Sequence, residues 1–264
     1  MRDAIELGLQ EFGGPRSLEL LTELVLRSAP HLKEHLELEH TTPSPSGITA
    51  CRLQQWLGAR GFPVDTELPA QWRRQAMLGV MSELWWACIL QLGGLPITLP
   101  EAPLQIGPDM RGTPDMLLAG CPVEVKSMTG WEYKRILESY GIAIIKPSHH
   151  AQVQLYNYGA DSEWGLYLAS PMDPRLLEKV MQQRKKYGKF YSLRWTYAEW
   201  VRSDPAHQES LLERAAMIAQ DARSEQDPPR EDSGITHDIM GEPRWPCGHC
   251  PRARRCADLQ GVGR

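Results

Sequence analysis

The chain has 264 residues, of which 42% are hydrophobic and 23% charged, and its formal net charge is −4. This length and composition are typical of one well-buried α/β domain with an appended segment, and they exclude a fibrous, a wholly disordered or a histone-like basic protein. The apolar runs are shorter than the roughly 20 residues of a membrane span, and the N-terminus lacks the features of a secretion signal. We therefore expect a cytoplasmic protein without a membrane helix, whose six cysteines are thiols or metal ligands.

Residues 1–45 are predicted to form an N-terminal helical segment. The run LELLTELVLRSAPHLKEHLELEH carries leucines at helical spacing among charged residues, and Pro30 is expected to separate two amphipathic helices. The following TTPSPSG is rich in proline and serine and predicts a connector. We expect this segment to pack on the core or to bind a protein partner.

Residues 46–222 are predicted to form the core, which starts with two helices. Ser46 is expected to cap the first of them, ITACRLQQWLGARG, and Gly61 to end it. The second helix extends from Gln71 towards the Gly93-Gly94 pair, which stops it, and is apolar on much of its surface.

The hydrophobic period changes after residue 94. The short runs ITL, PLQI, DMLL and PVEVKSM are separated by proline and glycine turns, one of them at Ala119-Gly120, and predict a sheet. We expect SHHAQVQLYNYGA to begin a helix and WGLYLAS to form a strand. Helices are expected at residues 174–188 and 194–222, followed by a loop and a cysteine-rich tail at residues 223–264. The basic run at residues 184–189 is either a patch for phosphate contact or a solvated helix end.

Two carboxylates and a lysine occur around the predicted turn. A hairpin turning near Gly120 would return Glu124 close to Asp115, and the alternation of side chains along a strand places Glu124 and Lys126 on one face. Carboxylate oxygens hold magnesium or manganese, which phosphodiester hydrolysis uses, and a lysine can stabilise the transition state. Taken alone, the same residues are also compatible with an ordinary surface hairpin.

The surrounding motifs resemble those of the RecB-like branch of the PD-(D/E)xK nuclease superfamily. That pattern has an acid or histidine on a helix, G-x-x-D, (D/E)-x-K and Q-x-x-x-Y, and each has a counterpart here. The counterparts are Glu83, GTPD at Gly112 to Asp115, EVK at Glu124 to Lys126, and QVQLY at Gln152 to Tyr156.

The resemblance implies a role for each matching residue. Glu83, Asp115 and Glu124 are expected to bind magnesium or manganese, and Lys126 is expected to act on the attacking water or the transition state. Gln152 and Tyr156 are expected to position the substrate, although Gln154 and Tyr158 satisfy the same spacing. Glu83 has a second interpretation, in which it pairs with an arginine.

The tail contains PCGHCPRARRCAD, with three cysteines at C-x2-C-x5-C spacing. Three thiolates spaced this closely indicate ligation of a metal or a cluster, and a fourth ligand is needed. His249 would suit a structural zinc site, and Cys51 is the remote candidate. Cys88 and Cys121 are expected to be small buried hydrophobic residues.

The same spacing resembles that of the iron–sulfur members of the RecB-like nucleases, the CRISPR-associated exonucleases and the AddB nuclease domain. In those proteins one cysteine before the nuclease core joins three after it. The resemblance therefore implies a 4Fe–4S cluster on Cys51, Cys247, Cys250 and Cys256 that fastens the tail to the core.

The sequence thus predicts an α/β protein with a restriction-endonuclease-like core, a central mixed sheet flanked by helices, and an iron–sulfur-bound C-terminal tail. The expected function is metal-dependent DNA cleavage, as an exonuclease on DNA ends or single strands. The alternatives are a DNA-binding or scaffold subunit that keeps the fold without cutting, and a zinc-stabilised endonuclease. The motifs do not predict the oligomeric state.

Overall fold

The computed structural model describes residues 1–12, 14–36, 43–62, 70–128, 130–138, 141–171 and 196–224. Its helices, numbered in chain order, are α1 (Arg2–Glu11), α2 (Pro15–Leu36), α3 (Arg52–Ala59), α4 (Ala70–Leu92), α5 (Gly130–Glu138), α6 (Ile142–Ile145), α7 (Pro147–Gly159) and α8 (Pro205–Arg223). Its strands are β1 (Ile97–Thr98), β2 (Leu104–Gly107), β3 (Met110–Gly112), β4 (Met116–Leu118), β5 (Cys121–Met128), β6 (Trp164–Pro171) and β7 (Tyr197–Arg202). The helix expected at 174–188, the basic run at 184–189 and the tail with Cys247, His249, Cys250 and Cys256 lie outside the described residues.

The central sheet has five strands in the order β1-β4-β5-β6-β7, and β2 pairs with β3 in a separate hairpin. The β5–β6 pair is parallel and the other pairs are antiparallel, so the sheet is mixed. Because parallel neighbours need a crossover, the chain between β5 and β6 passes through α5, α6 and α7 before it returns to the sheet. The predicted mixed sheet flanked by helices is confirmed.

Alternation along β5 sends its residues to two different layers. Val123 and Val125 belong to the buried cluster that contains Leu166, Leu168 and Trp86 of α4. The opposite face of the sheet packs against α5, α6 and α7. Its buried cluster includes Tyr167 and Ala169 of β6 and Val153 of α7. The sheet is therefore covered on both faces, by α4 on one and by the crossover helices on the other.

The N-terminal helices pack on α4. Ile5 and Leu24 are buried in the same cluster as Trp86, with 2% and 3% of their surfaces exposed. The backbones of α1 and α4 approach so closely that a Cβ on Gly8 would lie 1.9 Å from the Ile89 carbonyl oxygen. In the part of the chain that the structure describes, no helix is long and apolar enough to cross a membrane.

Two expectations about helix ends are wrong. Pro30 does not separate two helices, because α2 continues from Pro15 to Leu36, and α1 ends instead before Gly14. A proline inside a helix removes one hydrogen bond and can be accommodated, whereas Pro15 at the first helical position loses none. Ser46 does not cap α3, because Ser44 caps a separate 3-10 helix, Pro45–Gly47, by accepting a hydrogen bond from the Gly47 N–H.

The expected helix over residues 194–222 is wrong in its first part. Residues Tyr197–Arg202 form the edge strand β7, and α8 begins only at Pro205, after Asp204 has capped it. Tyr197, Glu199 and Val201 alternate with more exposed residues in a run rich in aromatic and β-branched side chains, which favours a strand.

Polar contacts bind α3 to α8. The Arg52 guanidinium donates two hydrogen bonds of 2.8 Å to the Asp221 carboxylate, and the Trp56 indole N–H donates to the Ser224 carbonyl at 3.4 Å. Arg214 donates to the carbonyl oxygens of Ile48 and Ala50 at 2.7 and 3.0 Å. The chain before the sheet and the helix after it are thereby fastened together.

Candidate active site

The β4–β5 hairpin brings the first two candidate residues together. Ala119 and Gly120 form its turn with positive φ values of 49° and 88°, and Met116 pairs with Val123. Asp115 directly precedes β4 and Glu124 follows Val123 on β5, and the Asp115 carboxylate accepts a hydrogen bond of 2.6 Å from the Val125 N–H. The predicted turn is confirmed, and Asp115 is held at the seam between the two strands.

Glu124 is the most deeply buried acidic group of the site. Only 1% of the residue is exposed, and its carboxylate has no polar partner among the described residues other than Lys126. Its contact is an ion pair with the Lys126 ammonium, whose side chain is 28% exposed. A buried carboxylate with open coordination positions is costly unless a cation compensates it.

Glu83 belongs to the same electrostatic cluster. Its pKa is raised to about 9, chiefly by burial and next by the Asp115 carboxylate, while Lys126 lowers it. The pKa of Glu124 is raised to about 8 by burial and by Asp115, again against the influence of Lys126. Burial and the neighbouring Asp115 carboxylate therefore both favour the protonated forms of Glu83 and Glu124.

Lys126 balances part of this charge. Burial lowers the pKa of its ammonium group, but the carboxylates of Glu124, Asp115 and Glu83 together raise it above its ordinary value. The lysine therefore stays charged throughout the physiological pH range. Its ammonium group lies beside Glu124, where it can donate hydrogen bonds to an anionic substrate.

The chemistry of the carboxylate donors suits a hard divalent cation. Glu83, Asp115 and Glu124 offer carboxylate oxygens, the ligands that magnesium and manganese prefer, and Lys126 is the one polar partner of Glu124 among the described residues. In the described ranges, no group of three or more acidic, histidine or cysteine side chains is arranged closely enough to hold a metal ion. The three carboxylates thus share one electrostatic environment, in which Lys126 forms an ion pair with Glu124.

Gln152 and Tyr156 lie one helical turn apart on α7 and contact each other. The Gln152 amide donates to the Tyr156 hydroxyl at 3.2 Å, and that hydroxyl donates to the Thr113 carbonyl oxygen at 2.9 Å. Thr113 is two residues before Asp115, so the pair holds the strand that carries the acid. Burial, followed by Glu124 and Asp115, raises the pKa of Tyr156 well above its ordinary value, and its hydroxyl remains a donor.

The surroundings of Gly112 show why the G-x-x-D motif has a glycine at its first position. A Cβ at this position would lie 2.5 Å from Cγ of Pro45 and 3.0 Å from Cε1 of Tyr156. The glycine is therefore needed for space, because Pro45 and Tyr156 close on it from two sides.

The alternative pair has different surroundings. Gln154 donates to the Arg202 carbonyl at 2.8 Å and accepts from the Asp204 N–H at 2.9 Å, so it links α7 to the end of β7. Tyr158 is 48% exposed. The structure thus brings Gln152 and Tyr156 to the carboxylates and directs Gln154 and Tyr158 away from them.

Sequence reasoning missed a third tyrosine beside the carboxylates. Tyr167 pairs with Glu124 in the parallel β5–β6 register, and Glu199 on β7 pairs with Tyr167, so the three side chains share one face of the sheet. Burial and then Glu124 raise the pKa of Tyr167 well above its ordinary value. Its hydroxyl lies 2.8 Å from Nδ1 of His149 on α7. No local motif signals this neighbourhood, because it depends on the register of two strands separated by about 40 residues.

Three cysteines lie in the described residues, and each has a free thiol. Cys51 is half-buried immediately before α3, next to Arg52 of the α3–α8 contact. Cys88 is fully buried on α4, as expected, and burial raises its pKa. Cys121 is half-buried at the start of β5.

Solved structures show what this chain is similar to in fold. The crystal structure of an alkaline exonuclease, LHK-Exo, from Laribacter hongkongensis matches it with a TM-score of 0.51 and 11% identity, over 72% of this chain and 92% of that chain. LHK-Exo in complex with dAMP gives the same values. The crystal structure of SSO0001 matches with a TM-score of 0.46 and 18% identity, over 92% of this chain and 96% of that one.

No protein-family model matches the sequence, and no curated protein matches it either. The mixed sheet, its order and its flanking helices correspond to the restriction-endonuclease-like nuclease fold.

Proposed function

We propose that this protein is a metal-dependent DNA nuclease that acts as an exonuclease on DNA ends or single strands. The observation that carries the proposal is the buried Glu124 carboxylate, which lies near Asp115 at the β4–β5 hairpin and has Lys126 as its one polar partner among the described residues. The fold shared with LHK-Exo, which is an alkaline exonuclease and has been crystallised with dAMP, supports the same activity.

Glu83, Asp115 and Glu124 would hold magnesium or manganese. When bound, the cation would neutralise charge on the scissile phosphate and lower the pKa of an attacking water. Lys126 stays protonated and donates to phosphate oxygens as negative charge develops on them. Gln152 and Tyr156 act indirectly on the reaction. Gln152 supports the Tyr156 hydroxyl, which binds the Thr113 carbonyl and so helps to fix the position of Asp115.

The proposal includes a 4Fe–4S cluster on Cys51, Cys247, Cys250 and Cys256, with structural zinc as the alternative. Its support is the C-x2-C-x5-C spacing and the half-buried free thiol of Cys51. The contacts of α3 with α8 keep Ser224, the last described residue before the tail, beside Trp56 on the helix that follows Cys51.

A cleavage assay tests the nuclease activity. End-labelled linear DNA, single-stranded DNA and covalently closed DNA are each incubated with purified protein and magnesium, manganese or EDTA. We expect metal-dependent release of nucleotides or short products from linear and single-stranded DNA and no cutting of closed circles. Cleavage of closed circles would replace the exonuclease by an endonuclease, and binding without cleavage would favour the scaffold alternative.

Anaerobic metal analysis tests the cluster. We expect about four irons per chain and matching sulfide, as for a cysteine-ligated cubane cluster. Cys51→Ser should lose the iron, whereas Cys121→Ser, which alters another half-buried thiol, should retain it. One zinc without iron, held by His249 in place of Cys51, would contradict the cluster.

A further inference from the structure

Two polar residues, Ser82 and Glu83, lie on the side of α4 that packs against the sheet. Trp86 is fully buried in the cluster between α4 and the sheet, four residues after Ser82 and three after Glu83. Residues at these spacings are neighbours on the surface of a helix. Ser82 and Glu83 therefore face the sheet one helical turn before the tryptophan.

Ser82 contacts the sheet directly. Its hydroxyl oxygen lies 3.1 Å from the hydroxyl oxygen of Ser170 on β6, which is a hydrogen-bond distance. Ala169, the residue before Ser170, is in register with Lys126 on β5. The hydrogen bond therefore joins α4 to the sheet next to the level of Lys126.

This hydrogen bond constrains the turn of α4 that carries Glu83. Around it, α4 packs on β5 and β6 through apolar side chains. Apolar packing has no preferred direction, whereas a hydrogen bond restricts both a distance and an angle. Because Glu83 directly follows Ser82, a rotation or shift of this turn would move its carboxylate relative to Asp115 and Glu124, whose charges already act on it.

A second hydrogen bond ties the other end of α4 to the sheet. The Gln91 amide donates to the Ile97 carbonyl oxygen of β1 at 3.0 Å. Gln91 is eight residues after Glu83 on the helix, which corresponds to about 12 Å along its axis. The two contacts both hold α4 on the sheet, and the one at Ser82 is adjacent to the acidic residue.

We propose that Ser82 is a positioning residue for Glu83, because its hydrogen bond with Ser170 fixes the turn of α4 that carries this carboxylate and so strengthens the binding of magnesium or manganese. This inference rests on the proposed nuclease function and deepens it. Ser82 acts through the position of Glu83 and takes no part in the bonds that break and form.

Binding of Mn²⁺ to the protein without DNA tests the proposal, since this measurement does not depend on cleavage. The Mn²⁺ dissociation constant is measured by titration, with free Mn²⁺ followed by electron paramagnetic resonance, for wild type, Ser82→Ala, Ser170→Ala and Ser170→Thr. Gln91→Ala is the matched control, because it removes the hydrogen bond between α4 and β1. Melting temperatures in EDTA and cleavage rates are measured in parallel.

We expect Ser82→Ala to raise the Mn²⁺ dissociation constant about 10-fold, as for loss of a group that orients a metal ligand. Ser170→Ala should have the same effect, and the double variant should lose no more than either single one, because both changes remove the same hydrogen bond. Ser170→Thr keeps a hydroxyl and should bind as wild type. Gln91→Ala should lower the melting temperature and leave the dissociation constant unchanged.

A Glu83→Gln background separates positioning from a general effect on the fold. Adding Ser82→Ala there should cause no further loss of Mn²⁺ affinity, because the carboxylate that Ser82 positions is gone. If Ser82→Ala does not fold, Ser170→Ala gives the same comparison from the sheet side.

Three results would overturn the role of Ser82 while leaving the nuclease function intact. They are wild-type Mn²⁺ affinity in Ser82→Ala, an equal loss of affinity in Gln91→Ala, and a further loss in the Glu83→Gln background. If wild type neither binds Mn²⁺ nor cleaves DNA with it, the proposed function fails, and the role of Ser82 fails with it.

Discussion

Along β5, Val123 and Val125 point towards α4, and Glu124 and Lys126 point towards the crossover helices. The first face packs apolar side chains from α4, β5 and β6 into one buried cluster. The second face places Glu124 in a row with Tyr167 and Glu199, where burial raises the pKa of Glu124 and of Tyr167. One strand therefore supplies apolar packing on one side and the candidate catalytic groups on the other, where the Lys126 side chain remains 28% exposed.

The comparison of the two faces shows that burial affects the free energy of folding with opposite signs. Removing apolar surface from water stabilises the fold, whereas removing a carboxylate from water costs free energy until a cation or a proton compensates it. A substitution on the apolar face should therefore affect stability before activity, and a substitution on the polar face should do the reverse.

The largest expected effect is at the neighbouring pair Glu124 and Val125. Glu124→Gln should reduce cleavage at least about 1000-fold, because a charged ligand is lost from the reacting centre, while the metal-free melting temperature stays equal or rises. Val125→Ala should lower the free energy of unfolding by about 2 kcal/mol through lost burial and a cavity, with cleavage by the folded protein nearly unchanged. Cleavage rates and thermal unfolding of both variants measure this contrast.

Asp115→Ala and Lys126→Ala should follow the pattern of Glu124→Gln. If any two of these three variants cut DNA at the wild-type rate, the carboxylates and lysine are not the reacting centre. Loss of activity in Val125→Ala without unfolding would show that the two faces are not separable.

A smaller effect is expected from the two glutamines of α7. Gln152→Ala should lower kcat about 10- to 100-fold with little change in stability, because the amide supports the hydroxyl of Tyr156 that holds the Asp115 strand. Gln154→Ala should cost about 1–3 kcal/mol of stability through the buried polar groups it leaves unpaired, with cleavage by the folded protein retained. Kinetics combined with urea unfolding separate the two outcomes. Loss of kcat in Gln154→Ala and loss of stability alone in Gln152→Ala would move the positioning role to Gln154 and Tyr158.

The smallest expected effect is a pH dependence of the metal-free protein. Because the pKa values of Glu83 and Glu124 rise from 4.5 to about 9 and about 8, the native state holds protons that the unfolded chain has released. The free energy of unfolding should therefore fall as pH increases from about 5 to about 9. Lys126 is charged throughout this window and adds no slope.

Urea unfolding at a series of pH values, in EDTA and in magnesium, measures this effect. Magnesium should flatten the slope, because the cation compensates the ionised carboxylates, and Glu124→Gln should flatten it without metal. A stability that rises with pH in EDTA would contradict the electrostatic description of the polar face.

Local patterns were sufficient for the parts of the site that lie close together in the chain. The glycine-containing turn at residue 120 and the two-residue period of β5 predicted that Asp115, Glu124 and Lys126 meet, and the structure has that hairpin. The helix that carries Gln152 and Tyr156 was also predicted, from the run SHHAQVQLYNYGA, and it begins at Pro147, since proline is favoured at the first helical position.

Features that depend on distant contacts could not be predicted in this way. Residues 197–202 were predicted to be part of a helix, and they form the strand β7 because they pair with β6. The proximity of Tyr167 to Glu124 depends on parallel register, and that of His149 depends on how α7 lies across the sheet. Whether Gln152 or Gln154 faces the carboxylates was left open by spacing alone, since both pairs satisfy it.

Gly112 and Gly120 are constrained by different properties of the chain, although they are only a few residues apart. Gly120 has a positive φ of 88° and no atom within 4 Å of a Cβ built on it, so asparagine, which tolerates this backbone conformation, should be accepted there. At Gly112 the obstacle is the volume between Pro45 and Tyr156, so even alanine should be rejected. In a library that samples every amino acid at each position, residue 112 would behave like an invariant catalytic position without having any chemistry of its own.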